Sequence, residues 1–347
     1  MSVPDLPAAA APPKTPWWLW FNVLSLDAPL VAVLWQWALA QYHQVKLVPG
    51  CYWALGLAVW LIYVTDRTLD GFGRAAPAKP SARHRFYRRY RWIFAVGAVP
   101  LGAALLLWIS LTEIPSGIFW RGLGLGFLVG LYLLHFAARA HRGLFHAGNV
   151  LIFGLAGAML YGLHLPGALR LITYCALGAL FLTSIGRAEG ARFRFLPKEL
   201  VCGYLFAVGC SMSVQFYTFG SPLSSFMAVE TLLLAVLCSL NGIAISGYER
   251  RQGEGNDPDT LAQNWPAVMR VYPMLLVSLA GAAVTTWVRM GSHGAPPREM
   301  VWFVVAILLS TTLLGMLHTF AKRISPELAH VLAHVALVTP ALFFLVR

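Results

Sequence analysis

EMVWFVVAILLSTTLLGMLHTFA, residues 299–321, is an unbroken apolar run longer than the ~20 residues a helix needs to cross ~30 Å of hydrocarbon. Its apolar residues do not alternate with polar ones, so it reads as a helix and not as a barrel strand. Runs of the same kind recur at 17–40, 49–66, 91–112, 118–137, 148–164, 167–186, 198–217, 222–247, 265–288 and 327–346. Counted at roughly 20 residues each, they predict an all-α, polytopic transmembrane helix bundle of about 9–11 spans. Residues 1–16, rich in Pro and Ala, are expected to be a disordered tail without a cleavable signal, and 17–347 a single membrane-embedded helical domain.

Composition agrees with this reading. Hydrophobic residues make up 58% of the 347-residue chain and charged ones 12%, and the mean hydropathy is +0.66. One soluble core cannot hide that much apolar surface. The net charge of +12 suggests nucleic acid only until its distribution is read. With loops assigned alternately to two sides, all but six of the 26 Lys and Arg fall on the side of the N-terminus, the exceptions being Lys46, Arg121, Arg170, Arg289, Arg298 and Arg347. The positive-inside rule then makes that side cytoplasmic and assigns the chain to a membrane such as the bacterial inner (plasma) membrane. The basic excess points to anionic headgroups or an anionic substrate, not to nucleic acid. Cys51, Cys175, Cys202, Cys210 and Cys238 all lie in apolar runs without CxxC spacing and read as small buried hydrophobes.

Short turns such as Pro115-Ser116-Gly117 and Gly220-Ser221-Pro222 face one side, and longer charged connections (67–90, 138–147, 187–197, 249–264) face the other. Polar chemistry is concentrated there. At the end of the second run, Asp66 and Asp70 are one helical turn apart and share a face. Two such carboxylates can hold Mg²⁺, which takes oxygen ligands and is often completed by substrate phosphates. Arg67, Arg83 and the basic residues that follow supply guanidinium forks for a diphosphate. The competing reading is an ordinary helix end with solvated acids and topology-setting arginines.

Two more segments follow in order. The first runs from Tyr132 through Arg139-Ala140-His141-Arg142-Gly143 to Gly148-Asn149-Val150-Leu151-Ile152-Phe153-Gly154-Leu155, and the second holds Ser184, Arg187 and Glu189. With the aspartate pair, this order resembles the UbiA superfamily of intramembrane prenyltransferases, which carries a basic "Y…LKR…GN" segment between two aspartate-rich motifs. The resemblance covers roughly residues 17–290. It implies a helical bundle with a lipid-facing chamber, Mg²⁺ as cofactor, and an isoprenoid diphosphate or other lipid as substrate. Asp66 and Asp70 are then catalytic metal ligands, and Arg67, Arg83, Arg139, Arg142, Tyr132, Asn149, Arg187 and Glu189 bind substrate. In the family the first motif reads N-D-x-x-D-x-x-x-D; here Ile62 and Tyr63 stand in place of its Asn and first Asp, and the second motif retains only Glu189.

Other polar residues extend these expectations. Asp27 lies inside the first run and Glu230 inside the eighth, where charge is costly and marks a cavity or a buried partner. Asp27 is expected to line the chamber or to bond a neighbouring helix; Glu230 reads as structural. Asn241, Ser246 and Glu249 end the eighth run, with Asn241 and Glu249 on one face, and Glu249 is a further candidate metal ligand. Caps and solvated residues are the alternative reading of that trio. His330 and His334 are one turn apart, but a membrane di-iron enzyme needs several such pairs. Tyr63, Tyr132 and Tyr248 are candidates to face a cation with their rings.

The leading expectation is a UbiA-like transferase, prenyltransferase in type, that binds a polyprenyl diphosphate through Mg²⁺ at the cytoplasmic face. The alternative is a non-catalytic relative that binds a lipid, quinone or pigment, or docks a membrane partner. A transporter is disfavoured by the absence of matching Gly/Pro-interrupted pairs in two halves.

Overall fold

The structure is a computed structural model that describes residues 16–72, 81–136, 150, 153–154, 197–218, 227–252, 260–291 and 298–344. Every regular element among them is helical. The chain enters through a 3₁₀ turn, Trp17–Leu19, and a short α1, Trp20–Val23, before α2, Asp27–Tyr42. Helices α3 (Pro49–Phe72), α4 (Ala82–Ile93), α5 (Val99–Thr112) and α6 (Ser116–Phe136) follow. After them come α7 (Lys198–Thr218), α8 (Val229–Gln252), the single turn α9 (Leu261–Asn264), α10 (Val268–Gly291), α11 (Arg298–Phe320) and α12 (Pro326–Val335). A 3₁₀ turn, Thr339–Phe344, ends the description.

Six helical segments are long and apolar enough to cross a membrane: 82–112, 116–133, 198–218, 229–251, 268–289 and 298–320. The bent pair α1–α2 makes up to seven. This is the pattern of a multi-pass membrane protein. Among the described residues it is fewer than the 9–11 expected, and the runs at 148–164 and 167–186 lie largely outside them.

Two runs depart from single spans for physical reasons. The first is broken, its two parts meeting at 71°. Ser25 adopts a left-handed φ of 60°, a conformation a non-glycine residue enters only when its surroundings fix it. The Asn22 carbonyl accepts the Ser25 N–H at 3.0 Å, which closes the turn. The last run, expected as a span at 327–346, is instead the 10-residue α12 and a separate 3₁₀ turn. Ser325 caps α12 by accepting the Leu328 N–H at 3.2 Å, with Pro326 in the first turn. Part of the run faces protein, with Ala329, Ala333, Ala336, Leu337 and Phe343 buried while Leu332 and Val335 are exposed; the Trp35 indole donates to the Leu337 carbonyl at 3.0 Å, and Thr339 donates to the Ala306 carbonyl at 3.0 Å. A continuous apolar stretch identifies burial, not the solvent that provides it.

Helix α8 is central and packs on α7, α10, α11 and α12. Its apolar window is 67% buried within the protein, whereas the more apolar α4–α5 window is 6% buried among the described residues. The α7–α8 crossing is close because Gly203 has no side chain; a Cβ there would lie 2.6 Å from the Ser239 backbone nitrogen. That crossing, with α2, α3 and α12, encloses the polar interior of the molecule.

Candidate functional site

The polar end of α3 turns inward. Asp66, Arg67 and Asp70 line a cavity of about 300 Å³ together with Arg83, Lys198 and Glu249. Its wall is completed by Tyr63, Tyr132, Glu199, Asn241, His330 and His334, among others. Residues from α3, α4, α6, α7, α8 and α12 thus meet at one place. The i, i+4 spacing of Asp66 and Asp70 brings both carboxylates to it, as a continuing helix requires.

The cations are anchored. Arg67 is buried, with Nη1 donating to the Asn22 carbonyl at 3.0 Å and to Ser25 Oγ, and its guanidinium lies 5.6 Å from the Tyr63 ring centre. Ser25 Oγ also meets the Tyr87 hydroxyl at 2.9 Å. The break between α1 and α2 therefore serves Arg67, because it turns a carbonyl and a hydroxyl toward the guanidinium. Arg83 donates from Nη2 to Glu249 Oε1 at 3.2 Å. Nη1 of Arg83 approaches His330 Nε2 at 3.4 Å, and His330 Nδ1 lies 3.5 Å from Glu249 Oε1.

These contacts engage Glu249, the carboxylate expected as a further metal ligand. Its Oε1 is taken by Arg83 and His330, and among the described residues no three His, Cys, Asp or Glu side chains form a metal-holding group. Asp66 and Asp70 are the carboxylates that fit Mg²⁺, a cation that commonly takes one or two carboxylates and completes its octahedron with water and substrate phosphates. Asp27 takes the second of its two expected roles, a contact with a neighbouring helix. It is not part of the cavity wall: its carboxylate accepts from Asn22 Nδ2 at 2.6 Å and from the Ala28 N–H at 3.0 Å, and faces His334 Nε2 at 3.4 Å. Arg139, Arg142, Asn149, Arg187 and Glu189 lie outside the described residues.

Glu199 belongs to the wall but has a structural task. It accepts from Ser246 Oγ at 2.8 Å and from the Leu261 N–H at 2.9 and 3.0 Å, capping α9. Asn241 differs: it is buried, and its Oδ1 has no hydrogen-bond partner. A buried amide oxygen without a partner is costly, and its place in the cavity wall offers it to a ligand or to water. Tyr248 stays out of the wall, packed in the core beneath the Arg251 guanidinium at 5.6 Å.

A second cavity adjoins the first. About 540 Å³ in size, it is bounded by α3, α5, α6 and α7, with small residues Ala54 and Ala58 on α3 facing Gly122, Gly126 and Gly130 on α6. A Cβ on Gly126 would meet nothing within 4 Å. Aliphatic and aromatic side chains such as Leu106, Ile114, Ile118 and Phe119 form the rest. Tyr63, Tyr132, Cys202 and Phe206 line both cavities, so one wall has a charged space on one side and an apolar one on the other.

Sequence reasoning missed Lys198, Cys202 and Phe206 as lining residues, and it weighed the two histidines only as a metal box. Nothing in their local pattern marks them; they reach the site through the α7–α8 and α2–α12 packing. Comparison of the chain with protein-family models, with curated proteins and with solved structures finds no match.

Proposed function

We propose that this chain binds an anionic, long-tailed lipid of the polyprenyl diphosphate kind and acts on it as a UbiA-like transferase. The carrying observation is the shared wall of Tyr63, Tyr132, Cys202 and Phe206 between a charged cavity and an apolar chamber. An amphiphile has that same division, and bridging the wall satisfies both of its parts. Arg67, Arg83 and Lys198 are the phosphate partners. Bound at Asp66 and Asp70, Mg²⁺ would neutralise the charge that builds on a departing diphosphate. The apolar chamber excludes water from the tail and from any allylic cation formed there. The ring of Tyr63 already carries Arg67, and Tyr132 and Phe206 are the other aromatics of the shared wall that a substrate cation would meet. With the basic residues read by the positive-inside rule, the charged cavity opens to the cytoplasm.

A second reading, binding without turnover, is favoured by one observation: Glu249 is held by Arg83 and His330, which leaves Asp66 and Asp70 as the metal carboxylates. The test is binding and turnover of radiolabelled geranylgeranyl diphosphate by purified protein in nanodiscs, with and without Mg²⁺. Asp66→Asn and Asp70→Asn are each expected to abolish the Mg²⁺ enhancement, a loss of about tenfold or more in affinity, as expected when a charge-assisted contact worth ~1.4 kcal/mol or more is removed. Mg²⁺-dependent binding untouched by both substitutions would remove these carboxylates from the site. Binding without turnover of the prenyl group favours the second reading.

A further inference from the structure

His330 and His334 stand one turn apart on α12, with ring centres 5.2 Å apart, and both line the charged cavity. Their hydrogen-bond partners define their protonation. Arginine has no acceptor, so the contact of Arg83 Nη1 with His330 Nε2 at 3.4 Å requires a lone pair on Nε2. The proton of His330 is then on Nδ1, directed at Glu249 Oε1 at 3.5 Å. Ionised Asp27 only accepts, so His334 Nε2 carries the proton facing Asp27 Oδ2 at 3.4 Å. His330 thus has Nδ1 protonated and Nε2 engaged by Arg83, so a second proton there requires the Arg83 contact to give way, while His334 has Nδ1 opposite its Asp27 contact.

The surrounding charges decide whether that second proton arrives. Around the pair lie Arg67 of α3, Arg83 of α4, Asp27 of α2 and Glu249 of α8. Burial first, and then the Arg83 guanidinium, holds His330 well below the usual imidazole range. Burial also lowers His334, opposed by Asp27 and reinforced by Arg67 and Arg83. Helix α12 is too short to span, so this is a polar-end device and not a lipid-buried one.

The charge of the wall gives the pair a role. Arg67, Arg83 and Lys198 face Asp66, Asp70, Glu199 and Glu249, so the wall with neutral imidazoles has no cationic surplus to offer a polyanion. An entering phosphate relieves the repulsion from the two arginines, competes with His330 Nε2 for the Arg83 guanidinium and gives the imidazoles an anion to donate to. We propose that His330 and His334 belong to the head-group site and that a phosphorylated ligand enters this cavity together with a proton taken up by the histidine pair. The inference rests on the reading that the cavity receives an anionic head group, and it adds the residues and the proton that make this possible without a divalent cation.

The test is calorimetric binding to the full chain in nanodiscs, in divalent-free buffers of differing ionisation enthalpy, at pH 6 and pH 8. The probes are inorganic pyrophosphate and geranylgeranyl diphosphate, which separate a free anion from a lipid head group. Proteins compared are the unaltered chain, His330→Gln, His334→Gln and the double variant, with thermal stability recorded for each. The probe's own titration is common to all and cancels. The unaltered chain is expected to take up a proton and to lose more affinity between pH 6 and pH 8 than the double variant, by up to about a hundredfold, the limit that linkage to one proton sets over two pH units. Because His334→Gln disturbs the buried Asp27, the His330→Gln variant serves as the folded comparison, with an expected partial loss of the pH dependence. Binding without excess proton uptake overturns the proposal and leaves the head-group reading standing. No anion binding to the unaltered chain at either pH, with or without Mg²⁺, overturns both.

Discussion

The two adjoining cavities share four residues and little else. One is bounded by charged side chains held in place by neighbours, such as Arg67 on the Asn22 carbonyl and Arg83 on Glu249. The other is bounded by what is left out: Ala54, Ala58 and the α6 glycines that line it, among which a Cβ on Gly126 would occupy open space. Polar walls must be built by pairing because a buried unpaired charge is costly. Apolar walls in a membrane helix bundle need only small residues. The polar cavity should therefore fail by collapse of the fold, and the apolar one by filling.

The largest expected effect comes from Arg67→Met. It leaves the Asn22 carbonyl, Ser25 Oγ and the buried Asp27 without their cation, a type of change that costs about 3–5 kcal/mol. A marked drop in melting temperature, measured by fluorescence in detergent, is expected along with loss of pyrophosphate binding. An unaltered melting temperature would show that the polar wall does not need this anchor. Gly126→Phe is the opposite case. The protein should melt as before, pyrophosphate binding should persist, and geranylgeranyl diphosphate should lose about a hundredfold in affinity, the equivalent of three to four methylenes at ~0.8 kcal/mol each. Equal loss for both probes would mean that the chamber does not hold the tail. The smallest effect belongs to Glu230→Gln. His43 Nε2 meets Glu230 Oε1 at 2.8 Å, away from both cavities, and an amide preserves a hydrogen bond there. About 1 kcal/mol of stability and no change in either probe's binding are expected.

Local periodicity explains what the sequence revealed. Asp66 and Asp70 were legible because a helix carries i and i+4 to one face, and Glu230 because an acid in lipid needs a partner, here His43. The broken first run and the short α12 were not legible. Hydropathy measures apolar content, and the residues at these breaks, Ser25 in the first run and 336–338 between α12 and the last 3₁₀ turn, barely lower it. Nor was the Asp27–His334 contact legible, since it joins opposite ends of the chain and depends on α12 folding back on α2. The ion pair of Glu249 was not legible for a related reason: spacing on α8 shows which face a carboxylate is on, not that Arg83 of a distant helix will meet it.

The polar end of α3 also has a consequence for biosynthesis. At 24 residues α3 is long enough to cross, yet it is not among the helices apolar enough to do so unaided, because Asp66, Arg67 and Asp70 sit in its last turns. We infer that α3 enters the bilayer as the second arm of a hairpin, after the broken first segment has presented its carbonyl and hydroxyl to Arg67. Residues 49–72 alone, flanked by glycosylation acceptor sites in a microsomal translation assay, are expected to insert poorly, and residues 16–72 efficiently. Equal insertion of the two would make the membrane entry of α3 independent of its neighbour.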